Sequence, residues 1–408
     1  MGVMGSTMEV IGSSDIRARN SSLMLKLIWE RRQISRAEIA RQMGLSRSTV
    51  SAIVNTLMET GLLRTCGAGE SLGGRRPILL GFDDDAFLLV GAEIGATHIG
   101  VALTNLRAEI QAWRHTRHPV RDDPEGTLHL LGEFVRECVA EVGADMKQLV
   151  GVGVGVPSPI DPGAAASLSP LIHPSWRGVN AEEALGEALP GLPLFIENDA
   201  NLGALAERWW GEGRDGRDLA YIKVATGIGA GYIVDGRIHR GVGGFAGEIG
   251  HTTITTRSRS DSLYDLIGTE ALVARAERLL KEHPSSLLTG REVTLEAIIE
   301  ATRAGDLLGR QLIDEVGTYL GIAIANMLNL LNPATIVLGG SIASLDEILL
   351  HPVRRAIRDR TLWATIAQSR LVTSRLGERA IAVGAATRVL QAALNNHELF
   401  PMSGEPIP

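Results

Sequence analysis

The chain has 408 residues, 45% of them apolar, a net charge of −7 and two cysteines, Cys66 and Cys138. That length allows two or three domains with cores of their own, whereas two cysteines exclude a disulfide framework. No apolar run approaches the roughly 20 residues that span a bilayer, and the first residues carry no apolar segment of signal-peptide type, so a soluble cytoplasmic protein with no membrane partner is expected.

Charge is unevenly spread. Residues 1–82 carry more Lys and Arg than Asp and Glu, and the remainder is acidic. A basic N-terminal segment on an acidic body points to one end that meets nucleic acid. Over 21–32, Met24, Leu27 and Ile28 have helical spacing. Ser35 and Glu38 form a capping box that opens a short helix with Ile39, Ala40 and Met43 on one face. Gly44 ends it, and Ser46 is a natural N-cap for a longer helix whose Val50, Ile53, Val54, Leu57 and Met58 form an apolar stripe. A short helix, a glycine turn and a capped longer helix make a helix-turn-helix.

Ser46, Arg47, Ser48, Thr49, Ser51 and Asn55 then face outward at the N-terminal end of the second helix, where hydrogen-bonding side chains reach base edges. Strands over 62–64 and 78–80 flank GAGESLGGRRP, a wing with Arg75 and Arg76 at its tip, suited to phosphates or a narrow minor groove. Residues 1–82 therefore read as a winged helix-turn-helix domain that binds DNA.

The body begins near residue 83. Three short strands (88–93, 98–104, 108–113), a helix (124–142) and a buried strand (150–156) make one α/β unit. From residue 193 the order is expected to begin again, with LFIE, a helix over 200–210, then LAYIKVA, AGYIV and RIHRG. A long apolar helix (307–331), a strand (335–340) and a final helix (381–395) follow; 167–180 and 255–261 are the loopiest parts. Two βββαβ-like halves imply a duplicated α/β fold with a cleft between lobes, one over 83–192 completed by 380–396, the other over 193–379.

Three glycine turns follow apolar strands. Their residues are Gly95 and Thr97; Thr226, Gly227 and Gly229; and Gly339 and Gly340. Each exposes backbone N–H groups that can cradle phosphate, and together they mark a nucleotide cleft. Asn198 and Asp199 sit between a strand and a helix. They can hold sugar hydroxyls, Asp199 can serve as a general base toward a γ-phosphate, or both can simply cap the helix. Glu248 and His251, three residues apart, can bind hydroxyls; a metal would need further ligands.

These stretches resemble the ROK family (repressors, open reading frames and kinases), specifically its winged-helix, sugar-responsive repressors. The carriers are GLSRSTVSAIVNTLMETGLL and GGRRP, then EIGATHIGVALTNL, GVGVPSPID, IENDANLGALAE, TGIGAGYIVDGRIHRGVGGFAGEIGH and IVLGGSIA. The resemblance implies an actin-like, ribonuclease-H-like two-lobed body in which Asn198, Asp199, Glu248 and His251 contact sugar. It also makes Asp199 a kinase base and gives the three glycine turns to ATP.

The departures matter more. Glu93-Ile94-Gly95-Ala96-Thr97 stands where the family has Asp-Ile-Gly-Gly-Thr, so a Cβ intrudes on the first turn. The cysteine loop that binds a structural zinc with the family's His is missing after His251. Tyr264, followed by Asp265, takes the place of a sugar-binding Glu, and Pro170-Leu171-Ile172 replaces Pro-Asn-Leu. No resident cofactor is expected: the zinc is predicted absent and ATP is predicted not to bind. The function implied is a repressor, a homodimer or homotetramer on palindromic operator DNA, released or retained by a sugar or sugar-phosphate effector. The alternative is an ATP-dependent sugar kinase, alone or in the same protein, with Asp199 as base.

Overall fold

The computed structural model describes residues 13–69, 76–160, 174–255, 260–362 and 368–401. Helix α1 (Ser13–Arg31) leads through strand β1 (Gln33–Ser35) to α2 (Arg36–Met43), α3 (Arg47–Glu59), β2 (Leu63–Ala68) and β3 (Ile78–Phe82). Both serine caps form, but the box at Ser35 is only half made, because the Glu38 carboxylate takes Arg41 and Gln42 and does not reach back. The Ser35 hydroxyl accepts the Glu38 N–H, the Ser46 hydroxyl accepts the Thr49 N–H, and Gly44 closes α2 at φ 67°. Val50, Ile53, Val54 and Leu57 bury one face of α3, leaving the other to solvent.

β2 and β3 pair antiparallel, with Leu63 opposite Phe82, and form the wing's two strands. β1 adds to the β3 edge as a third strand, which no local periodicity announced. Of the wing-tip arginines, Arg76 is exposed and Arg75 lies outside the described residues.

The body contains two five-stranded sheets. The first is built from β4 (Leu88–Ile94), β5 (His98–Thr104) and β6 (Ile110–Arg117), then, after α4 (Pro124–Glu141), β7 (Leu149–Val156), and, after α5 (Ala181–Ala188), β8 (Leu194–Asn198). Its order is β6-β5-β4-β7-β8. α6 (Asp199–Trp209) follows, and then the strands β9 (Leu219–Val224), β10 (Ile228–Val234) and β11 (Arg237–Ile238). A hairpin of β12 (Thr253–Thr255) and β13 (Ser260–Ser262) leads to helices α7 (Leu263–Ile267), α8 (Thr269–Leu280), α9 (Leu295–Arg303) and α10 (Leu307–Leu331). β14 (Thr335–Gly339), α11 (Glu347–Arg358), β15 (Arg370–Thr373) and α12 (Ala380–Asn395) complete the described elements. The second sheet has the order β11-β10-β9-β14-β15.

In both sheets the first three strands form an antiparallel meander and the next two add parallel on the other side. The duplication is therefore real, but its second copy starts at Leu219 and not at residue 193. LFIE is the fifth strand of the first sheet, with Ile196 paired to Val154 of β7. A short apolar strand looks the same whether it opens a sheet or closes one; only its non-local partner decides. The expected lobe boundary at 192/193 moves accordingly. The 255–261 loop is likewise partly a hairpin, while the first half of 167–180, including Pro170-Leu171-Ile172, lies outside the described residues.

α6 and α12 pack at the centre, backbone against backbone. A Cβ at Gly384 of α12 would overlap the Leu202 carbonyl of α6, and one at Gly91 or Gly153 would overlap carbonyls of α12. The winged helix is not a separate bead on this body. Met24, Leu25, Ile28, Val50 and Leu80 belong to one continuous buried cluster with Val389, Leu390 and Leu394 of α12 and Phe400. Trp29 of α1 also packs on Trp209 and Trp210 at the far end of α6, with ring centroids 5.3 and 6.1 Å away. Arg107 clamps this joint, its guanidinium 4.2 Å over the Trp29 ring and 2.7 Å from Asp84. Among the described residues no helix is long and apolar enough to cross a membrane.

Candidate functional site

The cleft is assembled from strand ends. Glu93 is the penultimate residue of β4 and Lys223 the penultimate residue of β9, so each stands just before a glycine turn on the first strand of its own sheet. Asp199 opens α6. The Lys223 Nζ donates to Asp199 Oδ2 at 2.7 Å and to Glu93 Oε1 at 3.1 Å, and all three side chains are largely buried. Burial opposes charge on Glu93 and Lys223, but the pairing wins. The lysine is held protonated by Asp199 and Glu93, and the ammonium together with His98 brings the Glu93 carboxyl down to about 2.

Asn198 does cap α6. Its Oδ1 accepts the Asn201 N–H at 3.1 Å, while its Nδ2 donates to the Ser158 carbonyl at 3.3 Å. Asp199 does not cap; its carboxylate is on Lys223. Behind both, buried Glu197 accepts from Asn201 Nδ2 at 3.0 Å, from the Asn198 N–H at 3.1 Å and from Arg240 Nε at 2.8 Å. Arg240 thus latches the start of the loop 241–247 onto the strand that carries Asn198.

That loop returns to Glu248 and His251. Gly247, at φ 99°, sits so close to β10 that a Cβ would overlap the Ala230 carbonyl, and its own carbonyl accepts the Ala230 N–H at 2.8 Å. Gly250 is backed against Ile228 in the same way. Burial raises the Glu248 carboxyl above its ordinary range, with the neighbouring His251 opposing the rise and the charge of Asp199 adding to it. His251 is exposed, its Nε2 3.9 Å from Glu248 Oε2. Cys66 stands on β2 and Cys138 on α4, and the β12–β13 hairpin follows where the family's cysteine loop would be. Tyr264 is on α7, which packs against the turn bearing Glu248 and His251.

The three glycine turns differ from one another. In the first, the Gly95 N–H donates to the His98 carbonyl at 2.9 Å, and the His98 ring lies where a Gly95 Cβ would be. Thr97 is exposed, and its carbonyl accepts the His118 N–H at 3.1 Å. The second turn is open: nothing lies within 4 Å of a Cβ at Gly227, and one at Gly229 would make only an ordinary contact with Ala200. Thr226 is half-buried beside them. In the third, the absent side chain of Gly339 makes room for the Tyr221 hydroxyl, and Gly340, at φ 88°, backs onto Val224.

At the other end of the molecule, Ser46, Arg47, Ser48 and Thr49 are exposed together at the start of α3. The Ser46 hydroxyl is 2.8 Å from those of both Ser48 and Thr49. Asn55 is less free than expected, whereas Ser51 is met only at its backbone carbonyl. Arg36 of α2 donates to the Ser51 carbonyl at 3.3 Å and to Asn55 Oδ1 at 2.9 Å. Lys223, His98, Arg240 and Arg36 were all missed by sequence reasoning. For Lys223 the signal was present, a lone charge inside the apolar strand LAYIKVA.

Comparison with known proteins follows the same division. The ROK family profile matches residues 89–392, and an IclR helix-turn-helix domain profile matches 24–66. The xylose repressor of Caldicellulosiruptor bescii is 31% identical over 388 residues, covering 92% of this chain and 96% of its own. The Escherichia coli K12 DNA-binding transcriptional dual regulator NagC is 30% identical, covering 94% and 96%. Among solved structures, a ROK family transcriptional regulator, a homologue of the E. coli MLC protein, superposes with a TM-score of 0.78 at 26% identity over 94% of this chain and 98% of its own. A ROK family glucokinase from Streptomyces griseus, in complex with glucose and AMPPNP, gives 0.64 at 26% identity, over 74% of this chain and 99% of its own. The glucokinase match covers a share of this chain close to the body alone.

Proposed function

The chain belongs to the ROK family, and on that premise we propose that it is a transcriptional repressor whose hold on operator DNA is set by a sugar in the inter-lobe cleft. The observation that carries this reading is α6. Its start carries Asn198 and Asp199, and Trp209 at its end, with the adjoining Trp210, packs on Trp29 of the winged-helix domain. One rigid element thus touches both ends of the mechanism. The sugar would be held by Asn198, Asp199, Glu248, His251 and Tyr264, and would act only through a difference in affinity between two lobe arrangements.

The winged helix would lay the start of α3 in a major groove, with Arg47, Ser48 and Thr49 toward base edges and the wing arginines toward the backbone. Two copies, as a homodimer or within a homotetramer, would read a palindrome with half-sites about 34 Å apart. Selection of bound genomic fragments by the full-length protein, followed by gel shift with and without sugars, tests the whole reading. Failure to retain any DNA at low salt would end it. Arg47→Ala is expected to weaken operator binding about 10-fold or more, as for loss of one good base contact, measured by fluorescence anisotropy at fixed salt.

Trp29→Ala separates recognition from control. It removes the ring on which Trp209, Trp210 and Arg107 converge but leaves α3 untouched. The variant is expected to bind operator within about threefold of wild type while its response to sugar collapses. An unchanged sugar response would show that the signal does not pass through this joint.

The kinase alternative has the open second glycine turn in its favour. Against it, the first turn is filled by His98.

A further inference from the structure

A nucleotide triphosphate enters a transfer site with a divalent cation on its phosphates, and that cation takes oxygen ligands from protein carboxylates. The fit of such a group can be tested on the side chains present. The two carboxylates at the base of the cleft are Glu93 and Asp199, and both are turned onto one ammonium, Lys223, at 3.1 and 2.7 Å. This lysine comes from the opposite sheet, at the strand position equivalent to that of Glu93 itself. The neighbouring first turn is also filled, because the Gly95 N–H is bonded to the His98 carbonyl and the His98 ring covers that glycine. The residues present do not fit a metal–nucleotide.

We propose that Lys223 is a tethered cation, standing between Glu93 and Asp199 in the place a divalent metal would need, so that the cleft takes a sugar as an unreacted ligand and admits no metal–nucleotide. A primary ammonium and a hard divalent ion answer the same pair of carboxylates, but the ammonium is covalently part of β9 and cannot be exchanged. It also joins the two lobes. The proposal rests on the reading of the cleft as a sugar site, but its metal half stands apart from that reading.

The experiment uses the full-length protein and Lys223→Ser, with Mn2+ alone as the first probe in thermal unfolding. Wild type is expected to show no rise in Tm. The serine variant, left with two facing carboxylates, is expected to gain about 2 °C at a metal concentration some ten times its dissociation constant. A metal-dependent rise in wild type, or none in a folded serine variant, overturns the proposal.

Should the serine variant not fold, wild type alone decides. Its affinity for D-xylose, D-glucose or N-acetylglucosamine, by calorimetry, is expected to change less than twofold with Mg2+ and AMPPNP present; a tenfold enhancement refutes the tethered-cation assignment. If none of the sugars binds, the sugar-receptor reading fails and takes the unreacted-ligand half of the proposal with it, while the Mn2+ measurement still decides the metal half.

Discussion

Lys223→Met is expected to lower the unfolding free energy by about 3–5 kcal/mol at neutral pH, the cost of stranding buried charge when one partner of a buried ion pair is removed. The loss should itself depend on pH, with opposite signs in the two proteins. In wild type the Glu93 carboxyl lies at about 2, below its ordinary 4.5. A depressed folded-state value means that its contribution is fully present above about 4.5 and is lost as pH falls toward 2. In the methionine variant burial acts without Lys223, so the folded-state value rises above the unfolded one. The variant is then least compromised where the carboxyls are protonated, and its stability falls as pH rises through the range from about 4 to 7. The gap between the proteins should therefore be widest near pH 7 and narrow toward pH 4. Urea midpoints at pH 4, 5 and 7 measure it, and a gap of constant size would mean that the lysine acts by packing and not by charge.

Gly384→Val should be nearly as damaging, for a reason without charge. At this position α12 lies on α6 with the Leu202 carbonyl filling the space a Cβ would need, and α12 is pressed on its other face against Gly91 of β4 and Gly153 of β7. Neither helix can retreat. Overpacking costs typically about 1–3 kcal/mol where neighbours can shift, so about 3 kcal/mol or more is expected here, read as a drop in Tm or as loss of soluble protein. Gly186→Ala is the control. It lies inside α5 with nothing within 4 Å of the added methyl, and should stabilise by about 0.5–1 kcal/mol through helix propensity. Equal losses at the two positions would mean that the helix crossing is softer than its geometry implies.

How much of this was legible in the sequence follows the range of the interactions. The helix-turn-helix was readable because its signals are local: Ser35 and Ser46 as caps, Gly44 as a stop, and an apolar stripe from Val50 to Leu57. Strand identities in the first sheet were readable for the same reason. What failed was assignment that depends on pairing across the chain. LFIE belonged to the first sheet because of β7, and β1 became a strand because of β3. The site shows the same contrast. Asn198, Glu248 and His251 stood out by residue type and by motif. Lys223 stood out only as a lone charge in an apolar strand, because its meaning comes from Glu93, 130 residues earlier. Asn55 looked free for bases until Arg36 was seen to hold it. His98 directly follows the first glycine turn, yet nothing local tells that its ring folds back over Gly95.

The shared core of the winged helix and α12 also governs when the DNA-reading end comes into being during synthesis. Its helices leave the ribosome first, but Val389, Leu390, Leu394 and Phe400, which close the cluster around Met24 and Ile28, are translated only after both lobes. Until then the emerging reader has an open apolar side. A chain interrupted within the body would therefore carry its DNA-reading end with that apolar side uncovered.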